Sequence, residues 1–302
     1  VRQVVFHPQR PLLKFPDWQA LLRMPGSRIT RKEFLKLAGA AGIGALAASY
    51  PFFIERYWIQ TNLYRIRLPN LPRAFDGLRI VHLSDLHFGP LVPRLVMEYV
   101  VWQTNRLRRD LVVLTGDYVH TRNTTREIDG VWPVLSRLQA PLGVFAVLGN
   151  HDHWADLDRS LYWLERSGQG LRHRAVALER QGQRLWLGGA GDLWEDDLGI
   201  DQAFAIAPDQ ECKILLSHNP DSADEPYRAR VDLVLSGHTH GGQVKLPFLG
   251  ALKLPVSNRG YVDGLLQARR SQLFISRGIG WAILPVRFNC PPEIAVLELR
   301  AA

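Results

Sequence analysis

Seven side chains of metal-binding type stand out in this chain by their spacing. Asp85 and His87 are two apart, and His238 and His240 repeat that spacing; Asp117, Asn150 and His218 complete the set. Two side chains so spaced share one short loop and can reach one ion. The set holds two carboxylates, four imidazoles and one amide oxygen, with no thiolate. Mixed nitrogen and oxygen donors suit first-row divalent ions such as Mn, Fe or Zn. Seven donors exceed what one ion takes. They fit two ions sharing a bridging carboxylate, about 3.5–4 Å apart, the arrangement used for displacement at phosphorus.

The elements that would hold these residues recur too. Leu78–Ser84 reads as a strand by its apolar, β-branched content, and Asp85 and His87 follow it. The short apolar runs 111–114, 144–148, 213–216 and 231–235 are of the buried-strand kind. Behind them come Gly116-Asp117, Gly149-Asn150-His151-Asp152, His218 and Gly237-His238-Thr239-His240. In open α/β sheets, sites form beyond the carboxyl ends of strands, so five strand ends would aim the same chemistry at one place. The glycines permit the tight turns this requires. Helical spacing covers Leu95–Arg108, Ile128–Leu138 (interrupted by Pro133) and Leu157–Arg166. Strand–helix alternation argues for an α/β domain. After residue 170 short strands at 184–188, 272–276 and 294–299 point to a second sheet and not to a second domain. No internal repeat of fixed period is present.

At 302 residues, with 46% hydrophobic and 22% charged residues, the chain has a globular balance, which excludes a disordered or collagen-like chain. Two cysteines, Cys212 and Cys290, are too few for a disulfide scaffold; they read as small buried residues near strands or as one bridge. The net charge of +8 sits mostly in the first 36 residues, where eight basic side chains face two acidic ones. No basic run in the body tracks a phosphate backbone, so no nucleic-acid partner is expected.

Leu37–Ile54 is free of charge and is preceded by Arg31, Lys32 and Lys36. A basic segment, an apolar segment and then small residues such as Ala45-Leu46-Ala47 form the layout of an export signal. The length is near the lower limit, about 17–25 residues, for a membrane-spanning helix. Cleavage near Ala47 and retention as an anchor are both open, since Tyr50, Phe52, Phe53, Tyr57 and Trp58 suit a membrane–water interface. Translation from Met24, or from Val1 at an alternative start, is equally open. The expected organisation is an unassigned extension over 1–29, a signal or membrane anchor over 30–58 and a catalytic domain over 59–302. The domain would lie on the extracytoplasmic face, in periplasm or cell envelope.

Together the blocks Asp85-Leu86-His87, Gly116-Asp117, Gly149-Asn150-His151-Asp152, His218 and Gly237-His238-Thr239-His240 resemble, in order, those of the calcineurin-like metallophosphoesterases. Gly191-Asp192-Leu193-Trp194, His218-Asn219-Pro220-Asp221, Gly241-Gly242-Gln243 and Arg287-Phe288-Asn289-Cys290-Pro291-Pro292-Glu293 are similar to the YaeI/YkuE type of bacterial phosphodiesterase within it. Thr30–Lys36 resembles the twin-arginine export signal that this group carries, with Lys32 where the signal has its second arginine. The resemblance implies an α/β/β/α four-layer sandwich and two divalent ions, manganese first, with iron or zinc as alternatives. Asp85, His87 and His240 would hold one ion, Asn150, His218 and His238 the other, and Asp117 would bridge them. A hydroxide between the ions would attack phosphorus, and His151 would protonate the leaving oxygen. Asp152 would orient His151, as carboxylates commonly do for imidazoles. The implied activity is phosphodiester hydrolysis, with lipid-linked and nucleotide diesters among the substrates and the membrane and export machinery as partners. A phosphomonoesterase or protein phosphatase, and a metal-binding interaction module without turnover, are the alternatives.

The remaining polar residues have plainer readings. His82 lies within a strand and reads as core, while His120 and His153 stand close enough to ligand blocks to touch substrate. His7 and His173 look incidental. Asp192 is a candidate support for a ligand, and Arg287 a candidate phosphate contact or surface ion pair. Asp156, Asp158 and the cluster Glu195, Asp196 and Asp197 read as solvated. Gly-x-Ser-x-Gly and the Gly-x-x-x-x-Gly-Lys-Ser/Thr phosphate loop are absent, which leaves no support for a nucleophile-elbow hydrolase or P-loop nucleotide binding.

Overall fold

The computed structural model describes residues 30–302; the extension over 1–29, with His7 and Met24, lies outside the described residues. Two compact units divide between Ala48 and Ser49. Helix α1, Arg31–Phe53, runs across that boundary. Its start has a local cause. The Thr30 hydroxyl accepts from the Glu33 amide at 3.3 Å, and the Glu33 carboxylate accepts from the Thr30 amide at 2.9 Å. That reciprocal pair is a capping box, so the export-signal-like residues also nucleate the helix. α1 is long and apolar enough to cross a membrane, with a mean hydropathy of 1.6.

From Ser49 onward two sheets stack face to face. The first has the order β1 (Gln60–Leu68), β13 (Glu293–Ala301), β2 (Arg79–Leu83), β3 (Leu111–Thr115), β4 (Val144–Val147). All its pairs are parallel except β13 with β2. The second has the order β11 (Gly264–Gln267), β12 (Gln272–Ile275), β8 (Leu233–Ser236), β7 (Lys213–Leu216), β6 (Gln183–Gly189), β5 (Arg174–Arg180). Its four central strands are parallel and its two edge pairs antiparallel. A small hairpin, β9 (Lys245–Leu246) and β10 (Gly250–Ala251), stands apart.

Alternation along each strand divides the apolar side chains between layers. Ile80, Leu111, Val113, Ile214, Leu216, Leu235 and Phe274 meet between the sheets. Val81, Leu83, Val112 and Leu114 face outward under α2 (Arg94–Arg106), α3 (Thr125–Leu135) and α4 (Asn150–Arg166), where Met97, Val131 and Trp132 pack on them. Leu215, Val234 and Leu273 on the far side of the second sheet are covered by α5 (Ile200–Ala203) and by Phe204 and Tyr227. The layers are thus helix, sheet, sheet and a thin helical cover, the four-layer sandwich expected. His82 is wholly buried between the sheets, where its Nε2 meets the Thr115 hydroxyl at 2.8 Å. It is a core residue.

Two placements differ from the sequence reading. The run 294–299 was expected in the second sheet; β13 instead returns to the first and pairs on both sides. Its residues from Glu293 to Leu299 are all buried, as a strand between two others requires. Helix α4 begins at Asn150, seven residues ahead of the apolar periodicity at Leu157. Asp152 caps it by accepting from the Gly149 amide at 2.9 Å. The helix breaks at Asp156, where the backbone is extended, and Asp156 Oδ1 then accepts from the Arg159 amide to restart it.

Candidate metal centre

The ends of β2, β3 and β4 from one sheet and β7 and β8 from the other converge, and all seven expected ligands lie there. Asp85, His87, Asp117, Asn150, His218, His238 and His240 are each 5% exposed or less. Asp85, His87 and His240 bring their donor atoms within 4.8 Å of one another, as do Asp117, His218 and His238. Asp117 joins the two groups: its Oδ2 is 3.5 Å from His87 Nε2 and 3.2 Å from His218 Nε2. Two further distances are as short, with His87 Nε2 3.0 Å from His240 Nε2 and His238 Nδ1 3.0 Å from His218 Nε2.

The backbone pays a local cost to achieve this. Asp85, His87, Asp117, His238 and His240 all have positive φ, between 47° and 68°. Left-handed geometry is uncommon outside glycine, and Asp and His are among the side chains that tolerate it best. Each such turn swings a side chain back over its strand end. Glycine is required where the loops touch. A Cβ on Gly237 would overlap the Ser84 hydroxyl and the Asp85 carboxylate, and one on Gly149 would overlap Asp117.

Hydrogen bonds aim the donors. His218 Nδ1 lies 2.7 Å from the Thr115 carbonyl and His238 Nε2 lies 2.9 Å from that of Pro255. A carbonyl only accepts, so each of these nitrogens carries the proton and the other faces the centre with its lone pair. The His238 amide donates to both Asp85 oxygens, at 3.0 and 3.1 Å. Burial pushes His87 and His240 well below the usual histidine range and His238 down to about 3, so these rings stay neutral, the form that ligates. Burial also opposes a charge on His218, yet the Asp117 carboxylate beside it raises its pKa, a pull that a cation at the same place would also feel. This end of the cage attracts positive charge.

The fit to metal is tested by Asn150. Its Oδ1 is buried and has no hydrogen-bond partner among the described residues. A buried carbonyl oxygen left bare costs about 1–3 kcal/mol, which a cation at that oxygen would offset. The donor set, the bare oxygen and the shared carboxylate therefore fit divalent metal.

His151 sits in the first turn of α4, half-buried. Its amide donates to Asp117 Oδ1 at 2.9 Å, and its Nδ1 lies 2.9 Å from the His120 carbonyl. Its ring meets His87 edge to face, centroids 4.6 Å apart. Asp152, expected to orient His151, does not touch that ring. Its carboxylate accepts from three backbone amides instead: Asp117 at 2.8 Å, Tyr118 at 2.9 Å and Gly149 at 2.9 Å. Its neighbours claim it because α4 and the loop after β3 meet at this point with buried N–H groups that the Asp152 carboxylate satisfies. Burial and the Asp117 charge push its carboxyl up, and the Gly149 and Tyr118 amides pull it back down. The group that orients His151 is the His120 carbonyl.

His120 does belong to the centre, its ring stacked on His151 at 5.8 Å. Asp192 stands at the rim, where one oxygen accepts from the Trp194 and Glu195 amides and the buried other is unpartnered among the described residues. Arg287 is neither a phosphate contact nor a surface ion pair. It is fully buried and donates to the Cys290, Arg277 and Gly280 carbonyls, with Nη2 3.4 Å from His240 Nδ1. Cys290 gives its thiol to the His240 carbonyl, and both cysteines are free. Asp196 is not a solvated charge either; it pairs with Arg172. Sequence reasoning missed the aromatic rim. Trp194 meets His238 edge-on at 4.5 Å, Trp154 meets His151 at 4.9 Å, and Arg122 lies 3.9 Å over the Trp154 ring.

Comparison with known proteins agrees with this geometry. A family model described as calcineurin-like phosphoesterase matches residues 78–242. The chain is 32% identical over 284 residues to the metallophosphoesterase YkuE of Bacillus subtilis, covering 91% of this chain and 99% of that one. It is 31% identical over 280 residues to the phosphodiesterase YaeI of Escherichia coli, covering 90% and 99%. A transmembrane protein with metallophosphoesterase domain from Danio rerio is 30% identical over 253 residues, covering 78% of this chain and 56% of the relative.

Proposed function

The chain belongs to the calcineurin-like phosphoesterase family and is a metallophosphoesterase, a hydrolase, and on that premise we propose that it cleaves phosphodiesters with two divalent ions. The observation that carries the two-ion reading is the placement of Asp117 between two donor groups, with the bare Asn150 oxygen beside them. Asp85, His87 and His240 would hold one ion, Asn150, His218 and His238 the second, and Asp117 both. Manganese is the first candidate, and iron or zinc fit the same donors. When bound, such ions supply positive charge to the phosphoryl oxygens and lower the pKa of water toward neutrality.

The chain's own residues do the rest. The His120 carbonyl keeps one proton of His151 on Nδ1; in the imidazolium form Nε2 would carry the second, hand it to the leaving oxygen and leave the ring as the neutral Nδ1–H tautomer. The Asp152 carboxylate holds the amides of Gly149, Asp117 and Tyr118 together, and so positions Asp117 relative to Asn150. Trp154 and Trp194 offer aromatic faces for the esterified groups, with the Arg122 cation beside them. Similarity to YaeI, named a phosphodiesterase, supports a diester over a monoester. The apolar helix α1 supports an exported or membrane-tethered enzyme on the extracytoplasmic face, with lipid-linked or nucleotide diesters as substrates.

The test compares bis-(p-nitrophenyl) phosphate with p-nitrophenyl phosphate on the purified full chain, with Mn²⁺, with EDTA and with His151→Ala. Diester turnover that needs metal and falls about 10²-fold or more in the variant supports the reading. Preferential monoester turnover would replace it with a phosphomonoesterase.

A further inference from the structure

Two loops beside the centre carry large apolar side chains where loop tips normally carry polar ones. The segment 246–252, Leu-Pro-Phe-Leu-Gly-Ala-Leu, holds no charge, and neither does 281–286, Trp-Ala-Ile-Leu-Pro-Val. At their tips Phe248 is fully exposed, Leu249 75%, Ile283 76% and Leu284 60%. Ile283 also has φ 61°, a strained geometry for a β-branched residue. Strain of that kind marks places held for function.

The two loops form one face with the last turn of α1. Gln243 donates to the Ala282 and Leu284 carbonyls at 3.1 and 3.0 Å and accepts from the Ala282 amide at 2.9 Å. It thereby clamps the 282–285 loop to the turn that begins at His240. The Pro51 carbonyl accepts from the Arg287 amide at 3.1 Å, and Arg56 donates to the Pro285 carbonyl at 3.2 Å. At this end of α1, Phe53 and Trp58 are 69% and 57% exposed. Scattered exposed apolar residues are ordinary, whereas contiguous exposed apolar patches mark interaction sites.

What covers the patch follows from the chain that leads into it. The 23 residues of α1 span roughly 35 Å at 1.5 Å per residue, against a hydrocarbon core of about 30 Å. A helix anchored there delivers Phe53 and Trp58 to the headgroup level; the 282–285 loop is bonded to that segment, and the 246–252 hairpin joins that loop through Gln243 and the Val244–Phe288 bridge. Lys253, exposed and next to Leu252, suits anionic headgroups.

We propose that the 246–252 hairpin and the 282–285 loop insert into a lipid bilayer, a second membrane contact that seats the metal centre at the headgroup surface. This rests on α1 being a membrane anchor. The test is made on the full chain in phosphatidylethanolamine–phosphatidylglycerol vesicles, with nitroxide labels on Phe248→Cys, Ile283→Cys, Ile206→Cys and Ile43→Cys in turn. Cys212 and Cys290 are buried and leave the introduced thiol as the reactive one. Collision of each label with oxygen, which partitions into lipid, is compared with collision with a water-soluble nickel chelate. Labels at 248 and 283 collide mainly with oxygen if the loops insert, as does the label at 43, while the label at 206 collides mainly with nickel. Labels at 248 and 283 that read like 206, with 43 in lipid, overturn the insertion and leave the anchor standing. Labels at 248 and 283 shielded from both probes mean a protein contact and overturn it equally. A label at 43 that reads as water removes the anchor, and the proposal with it.

Discussion

Asp152 separates two roles that a carboxylate beside a catalytic histidine can play. Here it accepts from three buried amides, and none of its hydrogen bonds goes to His151. In Asp152→Asn, one oxygen becomes a donor. The better rotamer keeps the oxygen toward Asp117 and Gly149 and sets an NH₂ against the Tyr118 N–H. That strands one buried donor, at a cost of about 1–3 kcal/mol. Asp152→Ala strands all three, about 3–9 kcal/mol on the same scale, which approaches the whole stability of a typical domain, about 5–15 kcal/mol. The assay is denaturant unfolding of the full chain in EDTA, so that metal binding does not mask the loss. The expected order of midpoints is wild type, then Asn, then Ala, and both variants bind less metal because Asp117 and Asn150 lose their common support. Wild-type stability and metal content in Asp152→Asn, joined to a lower kcat and a shifted pH profile, would refute this and return Asp152 to His151.

Other expectations follow from the same geometry. Asn150→Ala should lower metal content by about one ion per chain by elemental analysis, with the fold retained. Gly237→Ala forces a methyl group into Ser84 and Asp85, so it should destabilise by about 1–3 kcal/mol in thermal unfolding and weaken metal binding. Trp194→Ala removes an aromatic contact of about 0.5–1.5 kcal/mol, which is roughly a 2- to 12-fold rise in KM for aryl diesters with little change in kcat. Glu293 is fully buried; burial would raise its pKa, but Arg277 at 2.9 Å and donors from Asn62 and Tyr64 bring it below the ordinary glutamate value. Its contribution is present above about pH 4.3, the unfolded value, and lost as pH falls through the folded one. The stability gap between wild type and Glu293→Gln should therefore narrow in acid unfolding.

Much of the centre was legible because each ligand follows a short apolar run, and a run that must be buried has a definite end. His82 was legible as core for the same reason, since it interrupts such a run without ending it. What escaped lacks a period. The start of α4 is polar, Asn150-His151-Asp152, so helical spacing becomes visible only at Leu157. Asp152 was expected to serve an imidazole because carboxylates commonly orient histidines and the resemblance places it beside His151. Its true partners are backbone amides, which every residue has and no pattern marks. The aromatic rim of Trp154 and Trp194 joins a helix to a distant loop, and Arg287 reaches carbonyls across the chain. β13 reads as a buried strand but does not reveal its sheet, because pairing on both sides depends on β1 and β2.

We propose that the centre at the five strand ends holds two ions and hydrolyses phosphodiesters. The most direct test is a titration of metal-free full chain with Mn²⁺, following bis-(p-nitrophenyl) phosphate hydrolysis and metal bound per chain together. Activity should rise to a plateau at two ions per chain and vanish in EDTA. A plateau at one ion, or turnover that persists in EDTA, would contradict it.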